Sequence, residues 1–228
     1  SFYRFLDKNN IKIDTRILTE LKGPRKEKSL PRPINFDGIK NIINEIKNGE
    51  KINWIKKRNI AIILIMYGTG LRIDEVLARR YQDIPINYSK CSIKIIAKGK
   101  KEKEVLLTPI IMKSINEYIN SCPFKFNNET FLFLGKNLKK LDPGVFQRDF
   151  RKIGKKLDLY IKRKFTPHAL RHSFGTHMLD AGADIRVIQD LMGHKSISST
   201  EIYTEVSQKN LSEQYRKFNP RDKINLKN

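Results

Sequence analysis

A run of seven consecutive apolar residues, IAIILIM at positions 60–66, constrains the fold of this 228-residue chain more than any other feature. It belongs to a helical segment, 54–67, that is apolar on nearly all sides after Ile60, and a helix without a polar face has to be enclosed by other elements. Seven residues are far fewer than the roughly 20 a bilayer span requires, so the segment reads as a central core helix and not as a membrane anchor. Gly68-Thr69-Gly70 breaks it, and a further helix is expected from near Arg72 to Arg80.

The remaining chain supplies the elements that enclose this core. Ile39, Ile42, Ile43 and Ile46 recur at helical spacing behind Asp37, the expected N-cap. Other helices are expected over about 110–121, 143–157, 168–181, 184–191, 196–206 and 208–217. Two short β-leaning runs, 92–97 and 103–108, flank Lys98-Gly99-Lys100-Lys101 and predict a hairpin with a cationic tip, ended by Pro109. The pattern as a whole predicts a mainly α fold with one small antiparallel β-sheet, an α+β arrangement.

Lys and Arg number 46 against 24 Asp and Glu, a net charge of +22 that exceeds what solubility needs and points to a polyanionic partner. Arg25, Lys26, Lys28 and Arg32 fall among Pro24, Pro31 and Pro33, so residues 22–34 read as an extended linker between domains with affinity for phosphate. Residues 1–21 read as the end of a truncated N-terminal domain, 35–218 as the main domain with its C-terminal helix, and 219–228 as a flexible tail. The first residues lack the apolar stretch and cleavage site of a signal peptide, and Cys91 and Cys122 have no CxxC spacing. These features imply a cytoplasmic protein without a disulfide framework or a structural zinc site.

Residues 166–194, TPHALRHSFGTHMLDAGADIRVIQDLMGH, hold most of the chemistry. Pro167 opens a helix, and His168 and Arg171, three apart, project from one face of its first turn. Together with the N–H groups of the helix start they can receive a phosphate or a developing oxyanion. His168 and His172 are spaced i, i+4 as in some metal sites, yet the helix lacks the Glu of HExxH and His177 points partly away, so no metal is expected. His172 and His177 read as packing or hydrogen-bonding residues. Gly193-His194 follows a short amphipathic helix as a C-cap, and Tyr203 stands nine residues further on in SISSTEIYTEVS.

The motifs GTGLRIDEVL (68–77), IIAKGKKEKEVLLTP (95–109), HALRHSFGTHML (168–179), LMGH (191–194) and SSTEIYTEV (198–206) together resemble the tyrosine recombinase, or phage integrase, family, and within it the Xer-type site-specific recombinases. The resemblance implies the catalytic-domain fold of that family, with residues 1–21 ending its DNA-binding domain and a C-shaped clamp around double-stranded DNA. It also implies a catalytic set of Arg72, Lys98, His168, Arg171, His194 and Tyr203, with Glu75 supporting Arg72. Tetramers would form, homo- or hetero-oligomeric, through the helix at 207–217 with Leu211 and Tyr215, unless that helix packs on its own domain. Cytoplasmic, nucleoid-associated work on chromosome or plasmid dimers, or on mobile elements, follows from the same likeness. Arg79-Arg80 and the pair Glu201 and Glu205 around Tyr203 depart from the usual pattern.

Elementary chemistry agrees with these roles. A phosphodiester attacked by a phenol gathers negative charge on its equatorial oxygens, and two planar guanidiniums, Arg72 and Arg171, can grip them bidentately. Tyr203, an ordinary phenol with a pKa of about 10, needs a proton acceptor, for which His168 is placed. His194 can donate to a non-bridging oxygen, and Lys98 can protonate the leaving 5′-hydroxyl as general acid. With the charge so stabilised no cofactor or metal is required. The 3′-phosphotyrosyl bond conserves the energy of the broken linkage, so strands rejoin without ATP. A type IB topoisomerase and a non-catalytic DNA-binding protein are the rival readings, and the histidine pattern HALRH…GH favours the recombinase.

Overall fold

The computed structural model describes residues 9, 33–85, 92–96, 102–157, 165–192, 215 and 217–220. The chain divides into two compact units, Ser1–Leu30 and Pro31–Asn228, and all but one of the described residues lie in the second.

Helix α1 (Phe36–Gly49) starts at Asn35, whose side chain accepts the N–H of Gly38 at 2.8 Å. The cap is therefore Asn35 and not Asp37, which lies in the first turn, where its charge suits the helix dipole and pairs with Lys40 at 3.7 Å. The all-round apolar segment forms α2 (Asn53–Thr69), and every residue from Ala61 to Thr69 is buried. It is the central helix, contacted by α1, by α4 (Pro109–Ser121) and by α6 (Pro167–Asp180).

Gly68 and Thr69 stay helical, so the break falls at Gly70 alone. There φ is +68°, and a Cβ would sit 2.6 Å from the Phe174 ring, so the turn needs glycine twice over. The helix that follows, α3 (Ile73–Leu77), is shorter than the expected run to Arg80. Arg80 pairs as an isolated antiparallel bridge with Phe131, and Tyr81 N–H donates to Thr130 O at 2.8 Å, so sheet-like hydrogen bonds capture the backbone that sequence periodicity would have continued as helix. A single 3₁₀ turn (Tyr81–Asp83) follows.

Strands β1 (Ser92–Ile96) and β2 (Glu102–Leu106) form the expected antiparallel hairpin, with Ile93 opposite Val105 and Ile95 opposite Lys103. Pro109 does not end β2 but occupies the first turn of α4, where its missing N–H costs nothing. Helix α5 (Pro143–Lys156) is capped by Asp142, whose side chain accepts Val145 N–H at 3.1 Å, and it buries Phe146 and Phe150. Helix α7 (Ile185–Met192) packs against α6 closely enough that a Cβ at Gly175 would meet Met192 Sδ at 2.9 Å.

Of the expected last helix only its end is described, and it packs on its own domain. Tyr215, 2% exposed, joins Phe174, Met178, Ala183, Ile188 and Leu191 in a second core. Its hydroxyl donates to Gly68 O at 2.7 Å, and Asn219 Nδ2 donates to the same oxygen at 3.1 Å. Tyr215 is thus an internal anchor and not an exposed contact for a neighbour. The expected helix 196–206 and Leu211 lie outside the described residues, as do Arg25, Lys26, Lys28, Arg32, Lys100 and Lys101. No helix among the described residues is long and apolar enough to cross a membrane.

Candidate active site

Three elements meet behind the Gly70 turn. Arg72 is the N-cap of α3, and its backbone N–H and Nη1 donate to the two oxygens of Glu75 at 2.8 and 3.0 Å. Both bonds run from Arg72 to Glu75 and fix the arginine from its own helix while leaving it 46% exposed, whereas Glu75 is 16% exposed. Arg72 therefore retains donors facing outward, held by a carboxylate behind them.

Arg171 lies one turn into α6 and is 2% exposed. Its Nη1 donates to Gly70 O and its Nη2 to Met192 O, so the backbone of the Gly70 turn and of the α7 end holds the guanidinium fork. No carboxylate among the described residues pairs with it. Burial first, and then the neighbouring Arg72, push its pKa down to about 10, with Glu75 offsetting part of the effect. Two guanidiniums are thus held close enough to repel each other, and Glu75, which pairs with Arg72, offsets part of that repulsion. The combination is unfavourable for the free protein and favourable for a bound anion.

His168 stands exposed on the first turn of α6, one turn before Arg171. His177 is buried, stacked on Phe36 at 4.3 Å, with Nδ1 2.8 Å from the Tyr67 hydroxyl, and burial lowers its pKa. It is a core residue, and His172 is half-buried on the same helix. Among the described residues no group of His, Cys, Asp and Glu could hold a metal ion. Lys98, His194 and Tyr203 lie outside the described residues.

Sequence reasoning missed two cations that build this site. Arg79, read as a departure from the usual pattern, donates from Nη1 to Lys94 O at 2.8 Å and from Nε to Glu75 O at 3.2 Å, stapling β1 to α3. Lys103, on β2, donates from Nζ to Leu191 O. Period-2 alternation could have revealed the second: Lys103 shares the inward face of β2 with the buried Val105.

Two guanidiniums, a carboxylate paired with one of them and a histidine at a helix start are groups able to receive a phosphate. A family model for the phage integrase family matches residues 33–210. The tyrosine recombinase XerC of Mesorhizobium japonicum is 36% identical over 221 residues, covering 97% of this chain and 70% of the relative. The pre-cleavage structure of the XerH site-specific recombinase bound to its difH substrate superposes with a TM-score of 0.63 at 26% identity, covering 82% of this chain and 54% of that one. The Tn1549 transposon integrase in complex with a circular intermediate DNA shares the fold with a TM-score of 0.60 at 20% identity, covering 93% of this chain and 75% of that one. The chain belongs to the phage integrase family of tyrosine recombinases, enzymes that cut and rejoin DNA at specific sites. The likeness to XerC sets aside the topoisomerase and non-catalytic readings.

Proposed function

We propose that the chain exchanges DNA strands through Tyr203, with Arg72 and Arg171 holding the scissile phosphate. The observation that carries this reading is the buried Arg171 fork, anchored on Gly70 O and Met192 O beside a second arginine and without a carboxylate partner among the described residues. Such a pair costs free energy until an anion fills it, and the charge of a phosphorane intermediate fills it more completely than the ground-state phosphate does. Glu75 keeps Arg72 at the right angle for that task. His168 serves Tyr203 as proton acceptor, His194 donates to a non-bridging oxygen, and Lys98 protonates the leaving 5′-oxygen.

The net charge of +22 supports double-stranded DNA as the partner, with Arg25, Lys26, Lys28, Arg32, Lys100 and Lys101 among its phosphate contacts. Assembly into a tetramer through residues 207–214 belongs to the same reading, with Tyr215 kept as the anchor in cis. The work is Xer-like dimer resolution, or integration and excision of a mobile element.

Incubation with a nicked suicide duplex, followed by a denaturing gel and peptide mapping, tests the proposal. A covalent adduct on Tyr203 that vanishes in Tyr203→Phe, with DNA affinity retained, is the expected result. DNA found on Tyr215, Tyr160 or any other residue would overturn it. Lys98→Ala should slow cleavage of an ordinary duplex while sparing a 5′-bridging phosphorothiolate, whose thiolate leaves without a proton.

A further inference from the structure

Lys103 stands where a strand facing a core ordinarily carries an apolar residue. Its Cα partner across the hairpin is the buried Ile95, and its neighbour on the same face is the buried Val105. The ammonium nevertheless points inward and donates to Leu191 O, while Arg171 Nη2 donates to the next carbonyl, Met192 O, at 2.5 Å. Two cations from separate elements thus hold consecutive carbonyls at the C-terminal end of α7, where the unpaired C=O groups and the negative end of the dipole favour positive charge. Met192 is followed directly by Gly193-His194, and Tyr203 comes eleven residues after it.

We infer that Lys103 is a positioning residue: with Arg171 it clamps the carbonyl end of α7 and so fixes where the chain departs toward His194 and Tyr203. The inference rests on the reading of those two residues given above. It gives the hairpin a second task besides carrying Lys98, because β2 is thereby tied to the helix that leads into the other half of the site. The arrangement is costly in the free protein. Burial first, and then Arg171, lower the Lys103 pKa to about 8, with Arg72 acting in the same sense and Glu75 and Asp190 opposing. The carbonyl that Lys103 holds accounts for an ammonium kept at a partly buried position.

The test measures single-turnover cleavage of the suicide duplex at saturating DNA, together with DNA affinity, for the wild-type chain, Lys103→Met and Lys103→Cys. Displacing reacting groups by about 1 Å can cost about 10²-fold, so Lys103→Met should cleave about 10- to 100-fold more slowly with DNA affinity almost unchanged. Aminoethylation of Lys103→Cys restores a lysine-like ammonium and should recover most of the lost rate, with treated wild type controlling for Cys91 and Cys122. Lys103→Gln, which retains an N–H donor without the charge, replaces either variant if it fails to fold and should cleave at an intermediate rate. Wild-type cleavage by Lys103→Met would overturn the inference, as would full cleavage at saturating DNA with weakened affinity, which marks a phosphate contact. Absence of adduct in the wild-type chain would instead bring down the functional reading.

Discussion

Arg58 and Arg171 are equally buried, at 2% exposure each, and neither has a carboxylate partner among the described residues, yet their surroundings ask for different things. Arg58 directs Nη1 to Leu134 O at 2.8 Å and both Nε and Nη2 to Asn59 Oδ1 at 3.1 and 2.9 Å, and it lies over the Trp54 ring at 5.5 Å. Its acceptors are an amide oxygen and a backbone carbonyl and its charge faces π-electrons, so it serves as internal cross-bracing between α2 and the segment at Leu134. Arg171 is held by carbonyls as well, but the strongest charge near it is another arginine. The lesson is that burial of a guanidinium does not distinguish structure from chemistry. The sign of the charge beside it does.

Substitutions can break the comparison. The largest effect is expected for Arg171→Lys, which keeps the charge and loses the planar fork. Cleavage should fall by about 10²–10³-fold with DNA affinity changed little, as for loss of one preorganised donor. Arg58→Met should do the reverse: stranding Asn59 and Leu134 O costs about 1–3 kcal/mol of stability by chemical denaturation, while cleavage below the new midpoint stays near wild type. If Arg58→Met lost cleavage without losing stability, the distinction between the two arginines would fail.

Gly70→Ala sharpens the same contrast, because Gly70 O anchors Arg171 while the residue itself is strained for any side chain. A φ of +68° and the Phe174 ring 2.6 Å from the new Cβ should cost about 1–3 kcal/mol. Cleavage should fall with it, measured well below the melting point, since the Arg171 anchor and the start of α3 both move. Glu75→Gln should act more weakly, keeping the bond to the Arg72 N–H but losing the charge that offsets the two arginines, with slower cleavage and no loss of fold.

The smallest effect concerns pH. The folded pKa of Lys103 is about 8 against an ordinary 10.5, so between those values the unfolded chain binds the proton that the folded chain does not. Stability relative to Lys103→Met should therefore rise from about pH 8 to pH 10.5, as the buried charge is relieved. Cleavage should fall over the same window as the clamp on Leu191 O loses its ammonium. Parallel denaturation and single-turnover profiles would show the opposite slopes.

Much of this could be read from the chain alone. IAIILIM at 60–66 specified the central helix because an all-round apolar helix has only one place to go, and the hairpin followed from two β-leaning runs around a Gly-Lys tip. His168 and Arg171 were legible as candidates because a helix start is a local pattern, and Arg72 and Glu75 through the resemblance of GTGLRIDEVL to the family motif. Local pattern erred where distant backbone intervened: periodicity carried α3 on to Arg80, but pairing with Phe131 claimed that segment. Only the tertiary structure decided that Arg171 is anchored on a carbonyl 101 residues away and that Lys103 reaches one 88 residues away. The reason is physical: a side chain's spacing along the chain sets which face it occupies, whereas its charge state and its task depend on which carbonyls and cations the folded chain brings beside it.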